Sequence, residues 1–132
     1  MSDLPRRVED TIRRRSLLKR GQPLLVAVSG GLDSMVLLHL LHELSRKHAW
    51  RLALAHFNHR LRGRSSDADE RLVLRTARKL GLPVLAERAE VREIARDRKL
   101  SIEMAAREAR HDFLARAAAR LKIRTIALAH HA

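Results

Sequence analysis

The chain has 132 residues, 45% of them apolar, enough for one domain with one core. It has no cysteine, which excludes disulfides, thiolate zinc sites, thiolate-held iron–sulfur clusters and cysteine nucleophiles, and fits a reducing, cytoplasmic setting. Lysine and arginine total 28 against 15 acids, a net charge of +13, so the implied partner is a polyanion, foremost nucleic acid.

Residues 2–20 read as an amphipathic helix. Ser2 or Asp3 caps it, Pro5 suits its first turn and Gly21 ends it. Leu4, Val8, Ile12 and Leu18 form its inward stripe, and Arg6, Arg7, Arg13, Arg14, Arg15, Lys19 and Arg20 crowd the rest. That surface is either a basic arm for RNA backbone or a solvated face. The stretch is too charged for a signal peptide, and no apolar run in the chain is long enough to cross a membrane.

Leu24–Val28 is a continuous apolar run, the pattern of a short buried strand. A helix follows over Ser34–Lys47, with Leu37, Leu40, Leu41 and Leu44 at helical spacing. Between them lies Ser29-Gly30-Gly31-Leu32-Asp33-Ser34, joining a strand end to a helix start, where oxyanions bind. Gly30 and Gly31 let backbone N–H groups approach phosphate oxygens and let the chain take positive φ. Ser29 and Ser34 add hydroxyl donors. Asp33 disfavours a phosphate by charge alone, and a Mg²⁺ bridging it to the phosphates resolves that conflict. The competing reading is a plain strand–helix turn capped by Asp33. No lysine follows the glycines, so this is neither G-x-x-x-x-G-K-[ST] nor G-x-G-x-x-G. It resembles the S-G-G-x-D-S loop of the ATP pyrophosphatase, or PP-loop, superfamily, whose members split ATP between the α and β phosphates.

Arg51–Phe57 is the second strand. His56-Phe57-Asn58-His59-Arg60-Leu61-Arg62-Gly63-Arg64 leaves its C-terminal end as a basic loop, the place where open α/β sheets bind ligands. Ser66, Asp67, Asp69 and Glu70 then start a helix in capping style. Leu72, Val73, Ala77 and Leu80 form its apolar face, and Gly81–Pro83 ends it. Val84–Glu87 is the third strand and Glu90–Arg98 a short charged helix. Ser101 caps a longer helix, Ile102 to about Leu121, with Ile102, Ala106, Ala109, Phe113 and Ala117 inward. Glu103, Arg107 and Arg110 stack on another of its faces, as a functional row or as an i,i+4 salt-bridge ladder. Arg124–Ala129 is the fourth strand, and His130 and His131 follow it. Strands alternating with helices give an α/β fold with a parallel sheet and helices on both faces. Aromatic residues are scarce (Trp50, Phe57, Phe113), which argues against a base-stacking platform.

Three later stretches narrow the resemblance. His56–Gly63 with Ser66-Asp67 behind it, Ser101–Arg110, and Ile126-Ala127-Leu128-Ala129-His130-His131 are similar, in order and spacing, to the tRNA(Ile)-lysidine synthetase family over about residues 22–132. The resemblance implies an adenine-nucleotide-hydrolase type of Rossmann-like sheet, five-stranded with strand one central. It implies that ATP adenylates C2 of the wobble cytidine of an isoleucine tRNA with a CAU anticodon, and that the L-lysine amine then displaces AMP. A homodimer is left open. ATP would lie on Ser29, Gly30, Gly31, Leu32, Asp33, Ser34, His56 and His130, with Mg²⁺ at Asp33. Asp33, Glu103, Arg107 and Arg110 would act in catalysis, the two arginines on the pentacovalent phosphorus and Glu103 orienting them. His56, His59, His130 and His131 are either a zinc site or the lining of a nucleotide pocket.

Two departures stand out. His111 replaces a tyrosine usual in the family. The family's Asp-Asp-Gln-x-Glu-Thr segment would fall beyond Ala132. The expectation is a basic helix over 1–21 followed by an incomplete catalytic domain over 22–132, which binds nucleotide but makes no lysidine alone. The alternatives are another PP-loop enzyme, a tRNA thiolase or amidotransferase-type synthetase, and a non-catalytic nucleotide- or RNA-binding module.

Overall fold

The computed structural model describes residues 20–128. The helix expected over 2–20 lies outside them apart from Arg20, as do Ala129, His130 and His131. The elements run β1 (Pro23–Ala27), α1 (Leu32–His48), β2 (Arg51–Asn58), α2 (Arg64–Leu80), β3 (Val84–Arg88), α3 (Val91–Arg98), α4 (Ile102–Leu121) and β4 (Ile126–Leu128). The four strands are parallel, in the order β3-β2-β1-β4. Leu25 stands in register with Ala53 on one side and Ile126 on the other.

β1 reads as a continuous apolar run because both its faces are covered. Leu24, Val26 and Val28 pack with Leu38, Leu41 and Leu44 of α1 and Val73 and Ala77 of α2. Leu25 joins Ala53, Ala55, Phe113, Leu114 and Ala117, which seat α4 on the opposite face. Each fully buried leucine contributes about 1.5–3 kcal/mol through the water it excludes.

Two details differ from the sequence pattern. The inward residues of α4 are Ala105, Phe113, Leu114 and Ala117, while Ile102 is 40% exposed. The helix serves two partners, Ala105 packing with Val91 and Ala95 of α3 and the later residues with the sheet, so one stripe does not describe it. α2 begins at Arg64, with Gly63 at its N-cap, and its early acids serve in ion pairs instead of capping the helix.

The chain moves outward from β1 to β2 to β3, then returns past β1 to β4. The strand order therefore reverses at β1, and the crevice at the C-terminal ends of β1, β2 and β4 is the ligand position of such sheets.

Candidate active site

The turn from β1 into α1 is shaped from within. Gly30 has φ +88, and a Cβ there would meet Asp69 Cβ at 2.6 Å and Asp69 Cα and O at 3.0 Å. The loop thus lies against the backbone of α2, at a distance only a glycine permits. Gly31 is the N-cap of α1 with an ordinary φ of −75, so its lack of a side chain serves open access to the helix end, not the backbone angle. Ser34 Oγ accepts from the Ser29 and Gly30 N–H groups, both at 3.1 Å, and from Ser29 Oγ at 3.0 Å, and donates to the Gly31 carbonyl at 3.0 Å. Ser29 Oγ also accepts from Gly31 N–H at 3.2 Å. The two hydroxyls expected to face a phosphate are engaged in holding the loop. The groups left to meet an anion are the first-turn amides of α1, which a helix cannot pair internally. Asp33 sits in that first turn, and Leu32 beside it is 80% exposed.

The second loop is held by a buried polar network. Asn58, 2% exposed at the end of β2, donates to Asp67 at 3.0 Å and Glu70 at 3.1 Å and accepts from Arg60 N–H at 3.0 Å. Arg60, itself at φ +57, donates to both Asp67 oxygens at 2.6 and 2.8 Å. Arg88 from β3 closes on Glu70 at 3.0 Å through Nε and again through Nη2. The bonds from Asn58, then Arg60, hold the Asp67 carboxyl below its ordinary pKa. The Arg88 guanidinium does the same for Glu70 against the opposing effect of burial. Arg62 donates to Asp69 at 3.0 Å, the residue against which Gly30 packs, so the two loops are joined. In the sequence Asn58 reads only as one residue of the basic loop and Glu70 as part of the capping pattern; nothing marks Arg88, or the bonds that join the three.

His56 is 2% exposed, and its Nδ1–H donates to the Val28 carbonyl at 2.7 Å, tying β2 to the residue before the first loop. Its Nε2 is buried and has no partner among the described residues. His56 does not line the cleft; it supports the loop from below. His59 does line it, with Nδ1 accepting from Leu61 N–H, so the neutral ring carries its proton on Nε2. Burial, then Arg62, lowers the His59 pKa, which favours the neutral ring.

The cleft measures about 690 Å³. Ser29 and Ser34 bound one side, and Glu103, Arg107 and Arg110 of α4 the other, over a floor that includes Ala27, Ala55, Phe57 and Leu114. Arg62 and His111 complete the rim. The row on α4 thus shares one cleft with Ser29 and Ser34 at the two ends of the glycine loop, while Gly30, Gly31, Leu32 and Asp33 between them do not line it. Glu103 makes no hydrogen bond or ion pair with Arg107 or Arg110 among the described residues, so the orienting role expected for it is not built in this state. Among the described residues no cluster of three or more His, Asp or Glu side chains could hold a metal. A Mg²⁺ at Asp33 would need phosphate oxygens for its remaining ligands, the usual way this ion is held.

Residues 3–132 match the family described as the PP-loop domain. A tRNA(Ile)-lysidine synthase of Dehalococcoides mccartyi is 41% identical over 127 residues, 96% of this chain and 27% of that protein. One of Porphyromonas gingivalis is 43% identical over 130 residues, 98% of this chain and 28% of that protein. The chain thus spans about 27% of the length of the curated relatives it matches. The solved structure of the U34-tRNA thiolase NcsA from Methanococcus maripaludis, with its 4Fe-4S cluster, superposes with a TM-score of 0.78 at 20% identity, covering 98% of this chain and 45% of that one. That likeness shows the fold: an α/β parallel sheet of Rossmann type. A PP-loop domain implies ATP use. With the match running over nearly the whole chain, and the Ser-Gly-Gly-Leu-Asp-Ser turn at the C-terminal edge of a central parallel strand, the chain belongs to the PP-loop domain family.

Proposed function

We propose that this chain is the ATP-binding catalytic domain of a tRNA(Ile)-lysidine synthetase, which adenylates C2 of the wobble cytidine in a CAU anticodon and passes that carbon to the amine of L-lysine. The observation that carries the reading is the cleft that Ser29 and Ser34, at the two ends of the glycine loop, share with Glu103, Arg107 and Arg110. The first-turn amides of α1 and the glycine backbone bind the phosphates, and the helix dipole favours their charge. Mg²⁺, held by Asp33 together with phosphate oxygens, would neutralise charge on the departing pyrophosphate. Arg107 and Arg110 stabilise charge developing at the α-phosphorus as the cytidine oxygen attacks it. Adenylation turns that oxygen into a good leaving group, and the lysine amine then displaces AMP at C2. Ala27, Ala55 and Leu114 give the adenylate an apolar wall to lie against. Identities of 36–43% to tRNA(Ile)-lysidine synthases support this reading over the other PP-loop chemistries. The absence of cysteine from these 132 residues weighs against a thiolase that uses cysteine-bound sulfur or clusters.

The test is a chimera in which this chain replaces the aligned residues of the Dehalococcoides mccartyi relative. It should bind ATP and incorporate labelled lysine into an isoleucine tRNA with a CAU anticodon, and not into one with a UAU anticodon, which has no wobble cytidine. A chimera that binds ATP yet incorporates no lysine would overturn the assignment.

A further inference from the structure

The charges of α2 are segregated along its length. Its three acids, Asp67, Asp69 and Glu70, lie near its N-terminus, and each is taken up by Arg60, Arg62 or Arg88. From Arg71 onward the helix has no acid and four cations, Arg71, Arg75, Arg78 and Lys79, all exposed. Arg71, Arg75 and Arg78 follow at steps of four and three, so they stack on one face, and Arg64 precedes them near the same edge as the cleft. None of the four arginines has an ion pair among the described residues. On α3 and α4, Arg96, Arg98 and Arg116 pair with Asp97, Glu108 and Glu87, while Arg92, Arg107, Arg110 and Arg120 have no ion pair among the described residues; what sets α2 apart is the regular row on one face with no acid between its members.

Helix stability does not account for this row. Cations in the last turn suit the dipole, which explains Arg78 and Lys79 but not Arg71. Like charges at i,i+4 destabilise a helix, and an acid at either position would relieve that. The row runs about 21 Å, from Arg64 to Arg78 at 1.5 Å per residue, with arginine forks that suit phosphate oxygens. It starts beside the basic loop at the mouth of the cleft. It has no aromatic residue on which an unpaired base could stack.

We infer that the outer face of α2 is a phosphate-contacting rail for a double-stranded RNA stem whose loop enters the cleft. The inference rests on the proposed RNA-modifying function and adds the surface that would hold the substrate. Such a rail positions RNA without reading its sequence, because it touches only the sugar–phosphate backbone.

The test uses the full chain, a labelled anticodon stem-loop, and anisotropy titrations across a salt series. Two triple variants are compared, R71A/R75A/R78A on the rail and R96A/R120A/R124A elsewhere. The rail variant should bind roughly tenfold or more weakly at low salt, with a log–log salt slope shallower by about 2–3, near 0.9 for each phosphate no longer neutralised. The other variant should keep the wild-type slope. Equal losses in both, an unchanged rail variant, or a wild type that binds no RNA at low salt would each overturn the rail. So would loss of binding to phosphatidylserine vesicles with RNA binding intact. ATP–Mg²⁺ binding is titrated on the same samples. RNA failure with ATP binding intact strikes the rail alone, whereas a wild type that binds no ATP strikes the functional reading.

Discussion

Replacing Gly30 by alanine should damage the fold and the nucleotide site together. At φ +88 an L-residue pays about 1–2 kcal/mol for the left-handed backbone. The new methyl would also meet the Asp69 Cβ at 2.6 Å and its Cα and carbonyl oxygen at 3.0 Å, and two of those three atoms are backbone. Forcing such overpacking typically costs about 1–3 kcal/mol more. The sum, about 2–5 kcal/mol, is a large part of the 5–15 kcal/mol that holds a typical domain together, and corresponds to a fall in Tm of roughly 10 °C. Gly31→Ala is the control. Its φ is −75 and its Cβ would lie 3.4 Å from Ser29 Oγ, so stability should change by less than about 1 kcal/mol. Its methyl would nonetheless stand at the open end of α1 and reduce ATP affinity. Thermal melts and calorimetric ATP titrations of both variants separate the two effects. A Gly30→Ala protein with a wild-type Tm, or a Gly31→Ala protein that loses more stability than Gly30→Ala, would refute the close approach to α2 as the reason for the glycine.

Ser34→Ala should destabilise by about 2–3 kcal/mol in urea melts, because it leaves the Ser29 and Gly30 N–H groups without their acceptor, and it should weaken ATP binding through a loosened loop. Asp33→Ala should lower ATP affinity mainly when Mg²⁺ is present; equal affinities with and without the metal in the wild type would remove the metal role from Asp33. Glu70→Gln tests the network under the second loop by its pH dependence. The folded Glu70 pKa lies below its unfolded value, chiefly through Arg88, so its contribution to stability is present above the unfolded value of about 4.5 and is lost as pH falls through the folded pKa. Urea melts from pH 7 to pH 3 should therefore show a steeper acid loss in the wild type than in Glu70→Gln, and parallel curves would refute the assignment.

How much of this was legible in the sequence depended on the range of the interaction that builds each part. The strand expected over Leu24–Val28 and found over Pro23–Ala27, the turn at Gly30-Gly31 and the cap at Ser101 are local, and hydrophobic period, glycine chemistry and capping pattern report local geometry. The parallel sheet followed from the alternation of strands and helices. Placing Arg107 and Arg110 against the glycine loop needed the family resemblance, because spacing puts them on one helix face but does not say what that face meets. What stayed hidden is long-range and polar. Glu70 looked like a first-turn charge favoured by the helix dipole, yet it is 8% exposed and held by Arg88 across eighteen residues of sequence and by Asn58 across twelve. Asn58 looked like part of a basic loop, yet its amide joins Asp67, Glu70 and the Arg60 backbone. No periodicity marks such partners, because each depends on where β3 and α2 lie relative to the end of β2. The same hidden pairing gives the rail on α2 its meaning. The acids of that helix already have cations from elsewhere, so the arginines beyond them have no acid on their own helix to answer, and their charge faces outward.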